Sequence, residues 1–194
     1  MLMGLTPCQI AERLHQMFTR SGLGLPHCDN QTMNTRWKPS VTVAAIIERD
    51  GRYLLIEEHT PEGLRLNNPA GHLDEGEAIV DGCAREALEE TTHRFTPTAL
   101  VGVYMSRFQR PAAAEREAED ITYLRFAFCG DLGEAVAGAQ LDHGIVRTLW
   151  MTLEEIAANS HRLRSPLVLR CVQDHLAGQR VPLSAIYTDP SVWG

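Results

Sequence analysis

Between Arg85 and Glu90 the segment REALEE places four ionisable side chains in six positions, and the glycine-bearing turn PAGHLDEGE stands shortly before it. This stretch restricts the chain more than any other. It is comfortable only as a helix that packs on one side and presents charge on the other. On such a helix Glu86, Glu89 and Glu90 fall at i, i+3 and i+4 and share a face, while Val80, Ala84, Ala87, Leu88 and Thr91 gather opposite. Like charges at these spacings oppose the helix by roughly 0.2–0.5 kcal/mol per pair, a cost that a bound divalent cation would reverse. Oxygen-only ligands select magnesium or manganese over softer metals, and magnesium is commonly shared between a few carboxylates, water and substrate phosphates. Three clustered glutamates by themselves are more often a solvated face, so the residues upstream decide.

Gly71 is followed six positions later by Glu77, Glu77 eight later by Arg85, and Arg85 directly by Glu86, with Glu89 and Glu90 closing the pattern. This resembles the box of the Nudix family, G-x5-E-x7-R-E-U-x-E-E-x-G-U, where U is bulky and apolar, and all six fixed polar and glycine positions up to Glu90 match. Three positions depart: Ala87 is small, Thr92 replaces the terminal glycine and His93 replaces an aliphatic residue. Threonine enters the left-handed region reluctantly, so the helix exit is expected to differ. No box carboxylate is lost.

The resemblance covers about residues 38–187. It implies an α/β protein, an α/β/α sandwich on a mixed β-sheet, here with an N-terminal helical extension. It implies Arg85, Glu86, Glu89 and Glu90 as the catalytic set, with magnesium (or manganese) held by the three glutamates and the backbone carbonyl of Ala70. Arg85 is then expected to pair with Glu77, fixing loop against helix, with Gly71 and Glu77 structural. A further carboxylate often comes from a distant loop, for which Glu115, Glu117, Glu119 and Asp120 are candidates; each is equally readable as solvated. His72, beside the glycine, and Arg164-Ser165, at a helix start that favours anions, are candidate substrate contacts. Plain hydrogen bonding at His72 and plain capping by Ser165 are the competing readings.

Composition narrows the partners. A net charge of −7 argues against a nucleic-acid or membrane surface, since phosphate backbones reward the opposite sign. The five cysteines are scattered, with no C-x-x-C pair, and read as free thiols in a reducing cytoplasm. No apolar run reaches the ~18 residues of a membrane span and no signal peptide opens the chain. A cytoplasmic protein, monomer or homodimer, acting on a small-molecule pyrophosphate is expected.

Three regions are read along the chain. Residues 1–35 form an extension: Thr6 and Pro7 open a helix whose Ile10, Leu14 and Phe18 recur every four residues until Gly22, followed by a linker to Thr35. Met33 is a second candidate start of translation. Residues 36–187 form the hydrolase domain and 188–194 a tail. Val41 to Ile47 and Tyr53 to Ile56 suggest a hairpin about Asp50-Gly51, and Leu64 to Asn68 a short strand. Strands are expected over Thr98–Phe108, Ile121–Cys129 and Ile145–Met151, with a mobile loop from Pro111 to Asp120. Thr152 and Glu155 fit a capping box, and Pro166 opens a last helix. Trp37, Trp150 and Trp193 are expected to pack.

A phosphoanhydride is heavily charged, so its catalyst must neutralise charge on the phosphorus oxygens, align a water and accept its proton. The leading expectation is therefore magnesium-dependent hydrolysis of small pyrophosphate compounds. KPSVTVAAII (38–47), NNPAGHLDEGE (67–77), LRSPLV (163–168) and GQRVPL (178–183) resemble a bacterial branch of the family acting on thiamine pyrophosphate and its hydroxymethylpyrimidine precursor, with nucleoside di- and triphosphates also in view. Leu66 stands where that branch carries tryptophan. A pyrophosphatase for nucleoside diphosphate-sugars or dinucleotides is the second reading, and a non-catalytic nucleotide sensor the third. The full glutamate set counts against the sensor.

Overall fold

The run SVTVAAI forms β1 (Ser40–Ile46), and its side chains from Val43 onward are buried on both faces, as a central strand requires. A computed structural model describes residues 36–112 and 117–194, of which Pro39–Gly194 form one unit. The helix expected over residues 6–18, the linker after it and Glu115 lie outside the described residues.

β1 runs parallel to β7 (Glu119–Ala135) and antiparallel to the short β5 (Ala70–His72). β7 pairs with β6 (His93–Arg110), whose other edge takes β9 (Val181–Pro182), giving the mixed order β5-β1-β7-β6-β9. A second, antiparallel sheet is built around β3 (Arg52–Thr60), with β4 (Gly63–Asn67), β8 (Ile145–Met151) and the two-residue β2 (Glu48–Arg49). The turn at Asp50-Gly51 forms, with both residues at positive φ as a two-residue hairpin loop demands. Only Glu48–Arg49 belongs to that hairpin, however, because β1 takes the central place in the other sheet.

Helices cover both sides. α1 (Ile79–Thr91) sets Cys83 and Ala87 against Val43, Ala45, Ile47 and Phe128. α2 (Leu153–Ala158) and α3 (Leu167–Leu176) set Ile156, Leu167, Val168, Cys171 and Val172 against Ala44, Ile46 and Leu55. Alternate residues of β1 thus serve two cores, which is the α/β/α arrangement. The Thr152–Glu155 capping box closes reciprocally on α2. β6 and β7 run longer than their apolar cores suggest, and Asp120 lies in β7 rather than in a loop. Ion pairs extend the hairpin: Arg107 with Asp120 and Arg110 with Glu119. Trp150 packs beneath Arg49, but Trp37 and Trp193, the latter in the closing 3-10 turn Pro190–Trp193, are largely exposed.

α1 departs from the two-faced reading in a way that matters. Its buried stripe is Gly82, Cys83, Ala87, Glu90 and Thr91, while Val80 and Leu88 are half-buried. The helix is rotated so that Glu90 points into the protein.

Candidate active site

The loop from Ala70 to Ala78 and the exposed flank of α1 meet at Arg85. Its Nε and Nη2 donate to the two carboxylate oxygens of Glu77 at 2.9 and 3.0 Å, and Nη2 also donates to the His72 carbonyl at 3.0 Å. Bidentate guanidinium–carboxylate pairing is the strongest of the ordinary ion pairs, and it straps the loop to the helix. Glu77 is consequently held below the usual carboxylate range, and the Arg85 charge is reinforced. Nη1 donates to Glu86 at 2.9 Å and Glu89 at 3.1 Å, drawing these carboxylates together, and Asp74 lies 3.6 Å from Nε.

Glu86 and Glu90 sit in drier surroundings. Burial raises the Glu86 pKa against the pull of Arg85, and burial pushes Glu90 up to about 8, assisted by the charges of Glu86, Glu58 and Asp142. Glu90 accepts one hydrogen bond, from the Ala70 N–H at 2.7 Å. Gly71 makes room for Glu86: a Cβ there would lie 2.1–2.3 Å from the Glu86 carboxylate group and displace it. Among the described residues no three Asp, Glu, His or Cys side chains close on one point; Glu86 and Glu89 are joined through a guanidinium. The donors nevertheless suit a hard divalent cation: they are carboxylate oxygens, two already share a positive partner, and the third is buried with no cation of its own.

The other expected residues are placed as follows. His72 is exposed, its ring 6.2 Å from that of Tyr123. The Arg164 N–H donates to the Leu66 carbonyl and its guanidinium stands 3.8 Å from Glu58. Ser165 Oγ accepts from the Leu167 N–H, which is a capping contact at the start of α3. Glu119 and Asp120 are engaged by Arg110 and Arg107, and Glu117 is exposed. Leu66 is fully buried in the core under α3. Sequence reasoning did not find Glu58, Asp74 and Asp142, which contribute charge to the site; Asp74 occupies a variable position of the box, and Glu58 and Asp142 lie outside it. The signal for Asp142 exists only in the fold, where its N–H bonds the Glu89 carbonyl at 2.9 Å.

A mixed sheet between helices, with a strapped glycine loop facing an acidic helix flank, defines a class, and the comparisons agree with it. A family model of the NUDIX domain matches residues 36–170, and the chain belongs to the Nudix hydrolase family. Among curated proteins it is similar to "Phosphatase NudJ" of Escherichia coli (strain K12), 34% identical over 150 residues that cover 77% of this chain and 92% of the relative. Among solved structures it resembles a NUDIX hydrolase from Nitrosomonas europaea, with 45% identity, a TM-score of 0.67, and coverage of 78% of this chain and 98% of that one. A UDP-X diphosphatase structure shares the fold at 16% identity and a TM-score of 0.55, covering 89% of this chain and 82% of its own. No described helix is long and apolar enough to cross a membrane.

Proposed function

We propose that this hydrolase cleaves phosphoanhydride bonds of small pyrophosphate compounds with magnesium, or manganese in its place. The observation that carries the reading is the pair Glu86 and Glu89 drawn together on one cationic nitrogen while Glu90 lies buried behind them without one. Glu86, Glu89, Glu90 and the Ala70 carbonyl would hold the cation, which supplies charge neutralisation at the phosphorus oxygens and an acidified water. The chain's own residues do the rest. Arg85 and Glu77 fix the loop against the helix, a carboxylate of the same flank accepts the water's proton, and the N-terminus of α3 with Arg164 and Ser165, together with His72, orients the anionic substrate.

The segments at 38–47, 67–77, 163–168 and 178–183, which resemble a branch acting on thiamine pyrophosphate, make that compound, its pyrimidine precursor pyrophosphate and nucleoside di- and triphosphates the substrates to try first, and the similarity to Phosphatase NudJ supports a phosphatase. Leu66 is buried in the core and offers no ring for a pyrimidine to stack on, which gives the nucleotides equal standing with thiamine. The test is a phosphate-release screen with magnesium over these compounds, ADP-ribose, nucleoside diphosphate-sugars and dinucleotides. Release from the first group is expected. Cleavage confined to sugars or dinucleotides would replace the substrate class, and release from none would replace the enzyme with a nucleotide sensor.

A further inference from the structure

Arg125 is 7% exposed in the middle of β7, and two of its guanidinium nitrogens, Nε and Nη1, are buried with no hydrogen-bond partner. Its place in the sheet is informative. Thr42 on β1 is paired with His72 on β5 and with Arg125 on β7, and Arg125 is paired with Tyr104 on β6. Directly paired residues project from the same face, so His72, Thr42, Arg125 and Tyr104 form one polar row across four adjacent strands. Two residues further along their strands, Ala44 and Ala127 belong to the core beneath α3, which fixes the face. Thr42 Oγ1, beside Arg125 and buried, also lacks a partner.

The neighbouring acids do not account for this cation. Asp174 is taken by Tyr104 and Arg170, Glu90 by the Ala70 N–H, and Glu58 by Asn67 Nδ2. Burial accordingly pulls the Arg125 pKa down, only partly offset by the Cys171 thiol and the more distant charges of Glu58 and Glu90. A buried guanidinium left with free donors is costly unless an anion completes it. Of the other arginines around the site, Arg85 is engaged by Glu77, Glu86 and Glu89, Arg147 and Arg162 by Glu57, and Arg164 faces Glu58 at 3.8 Å.

We propose that Arg125, with Thr42 beside it, forms a phosphate subsite on the sheet face beneath α3, holding the substrate oxygens that the α1 carboxylates repel. The proposal rests on the phosphoanhydride reading and adds a binding residue that the box does not contain. Because the contact is made to the bound substrate before reaction, its loss registers in KM more than in kcat.

The test is steady-state kinetics on whichever compound the screen finds cleaved. Arg125→Met is expected to raise KM at least tenfold with a smaller fall in kcat, Arg125→Lys to recover part of that loss, and Thr42→Val to raise KM about threefold. A folded Arg125→Met protein with KM within twofold of wild type overturns the subsite. If Arg125→Met does not fold, wild-type KM in both Arg125→Lys and Thr42→Val overturns it. Turnover that is abolished by Glu90→Gln and indifferent to Arg125 leaves the hydrolase reading standing and removes this one. If nothing is cleaved, calorimetry with methylenediphosphonate and magnesium decides: wild type must bind at least tenfold more tightly than Arg125→Met, and equal or absent binding overturns the subsite.

Discussion

Glu57 and Glu90 are both buried glutamates, 3% and 8% exposed, and the protein treats them in opposite ways. Glu57, on β3, accepts from Arg147 across the sheet at 2.8 Å and from Arg162 after α2. Its carboxyl is held below the usual range by those two arginines, Arg147 first, against the opposing effect of burial. Glu90, on α1, meets one backbone N–H and three other acids, and burial carries its pKa to about 8. A carboxylate given two cations holds a fold together. One with no cation bonded to it is a candidate binding residue, since a ligand or a proton from outside the chain would relieve its destabilisation.

The largest expected effect comes from removing the charge at the uncompensated side. Glu90→Gln, and likewise Glu89→Gln, should lower metal-dependent turnover by about a hundredfold or more, while circular dichroism stays near wild type and the melting temperature does not fall. Wild-type rates in both variants would dissolve the contrast and the site with it. Glu57→Gln should do the reverse. It leaves two guanidinium groups facing a neutral amide, and because Arg147 and Arg162 are partly exposed the loss is nearer about 2 kcal/mol than the upper values for buried pairs. That lowers the melting temperature by about 6 °C. Turnover per folded molecule should not change.

Proton linkage separates the two residues by sign. Glu57 has a depressed folded value, so its contribution is complete above the ordinary value of 4.5 and is lost as pH falls through the folded one. Glu90 has a raised value. Between 4.5 and about 8 the folded state keeps a proton that the unfolded chain has released, so stability falls as pH rises through that window. Metal-free protein should therefore gain a component of stability at about pH 6 relative to about pH 8.5 that Glu90→Gln abolishes and Glu57→Gln leaves intact. On the proposed reading magnesium would require the deprotonated form, so its stabilising shift in melting temperature should be larger at the higher pH. Equal magnesium shifts at both pH values would mean that Glu90 is not part of the cation site.

How much of this was legible beforehand follows from what spacing encodes. Glu86, Glu89, Glu90, Arg85, Glu77 and Gly71 are bound to one another by short sequence separations and helical geometry, so their cluster can be read directly. Strand identity along β1 followed from a β-branched run, along β3 from the apolar run after the Asp50-Gly51 turn, and the α2 cap from Thr152 and Glu155. Glu57 with Arg147, and Arg125 with Thr42, are brought together by strand register across large separations, Arg162 reaches Glu57 from the turn after α2, and nothing local marks them. The inward rotation of Glu90 was hidden for another reason. Helical periodicity groups it with Glu86 and Glu89, and only the packing of Cys83 and Ala87 decides how far that group turns toward the core.

The smallest effect tests the exit of α1, which carries Glu89 and Glu90 to their places. Thr92 stands at φ 63°, where the family pattern has glycine, and is one of two non-glycine residues at positive φ among the described residues. The motif closes all the same, because the Thr92 N–H donates to the Leu88 carbonyl at 2.8 Å and its own carbonyl accepts from Val136 at 2.8 Å. His93 reinforces the corner, its Nδ1 lying 2.7 Å from the Thr91 carbonyl and its N–H donating to Thr91 Oγ1. A left-handed residue bearing a Cβ costs about 1 kcal/mol relative to glycine, so Thr92→Gly should raise the melting temperature by about 3 °C. These bonds already hold the corner in the shape that glycine would adopt freely, so Glu89 and Glu90 should stay where they are and turnover should remain within twofold of wild type. A variant that gained stability and lost activity would show instead that the strain at Thr92 sets the position of the acidic flank.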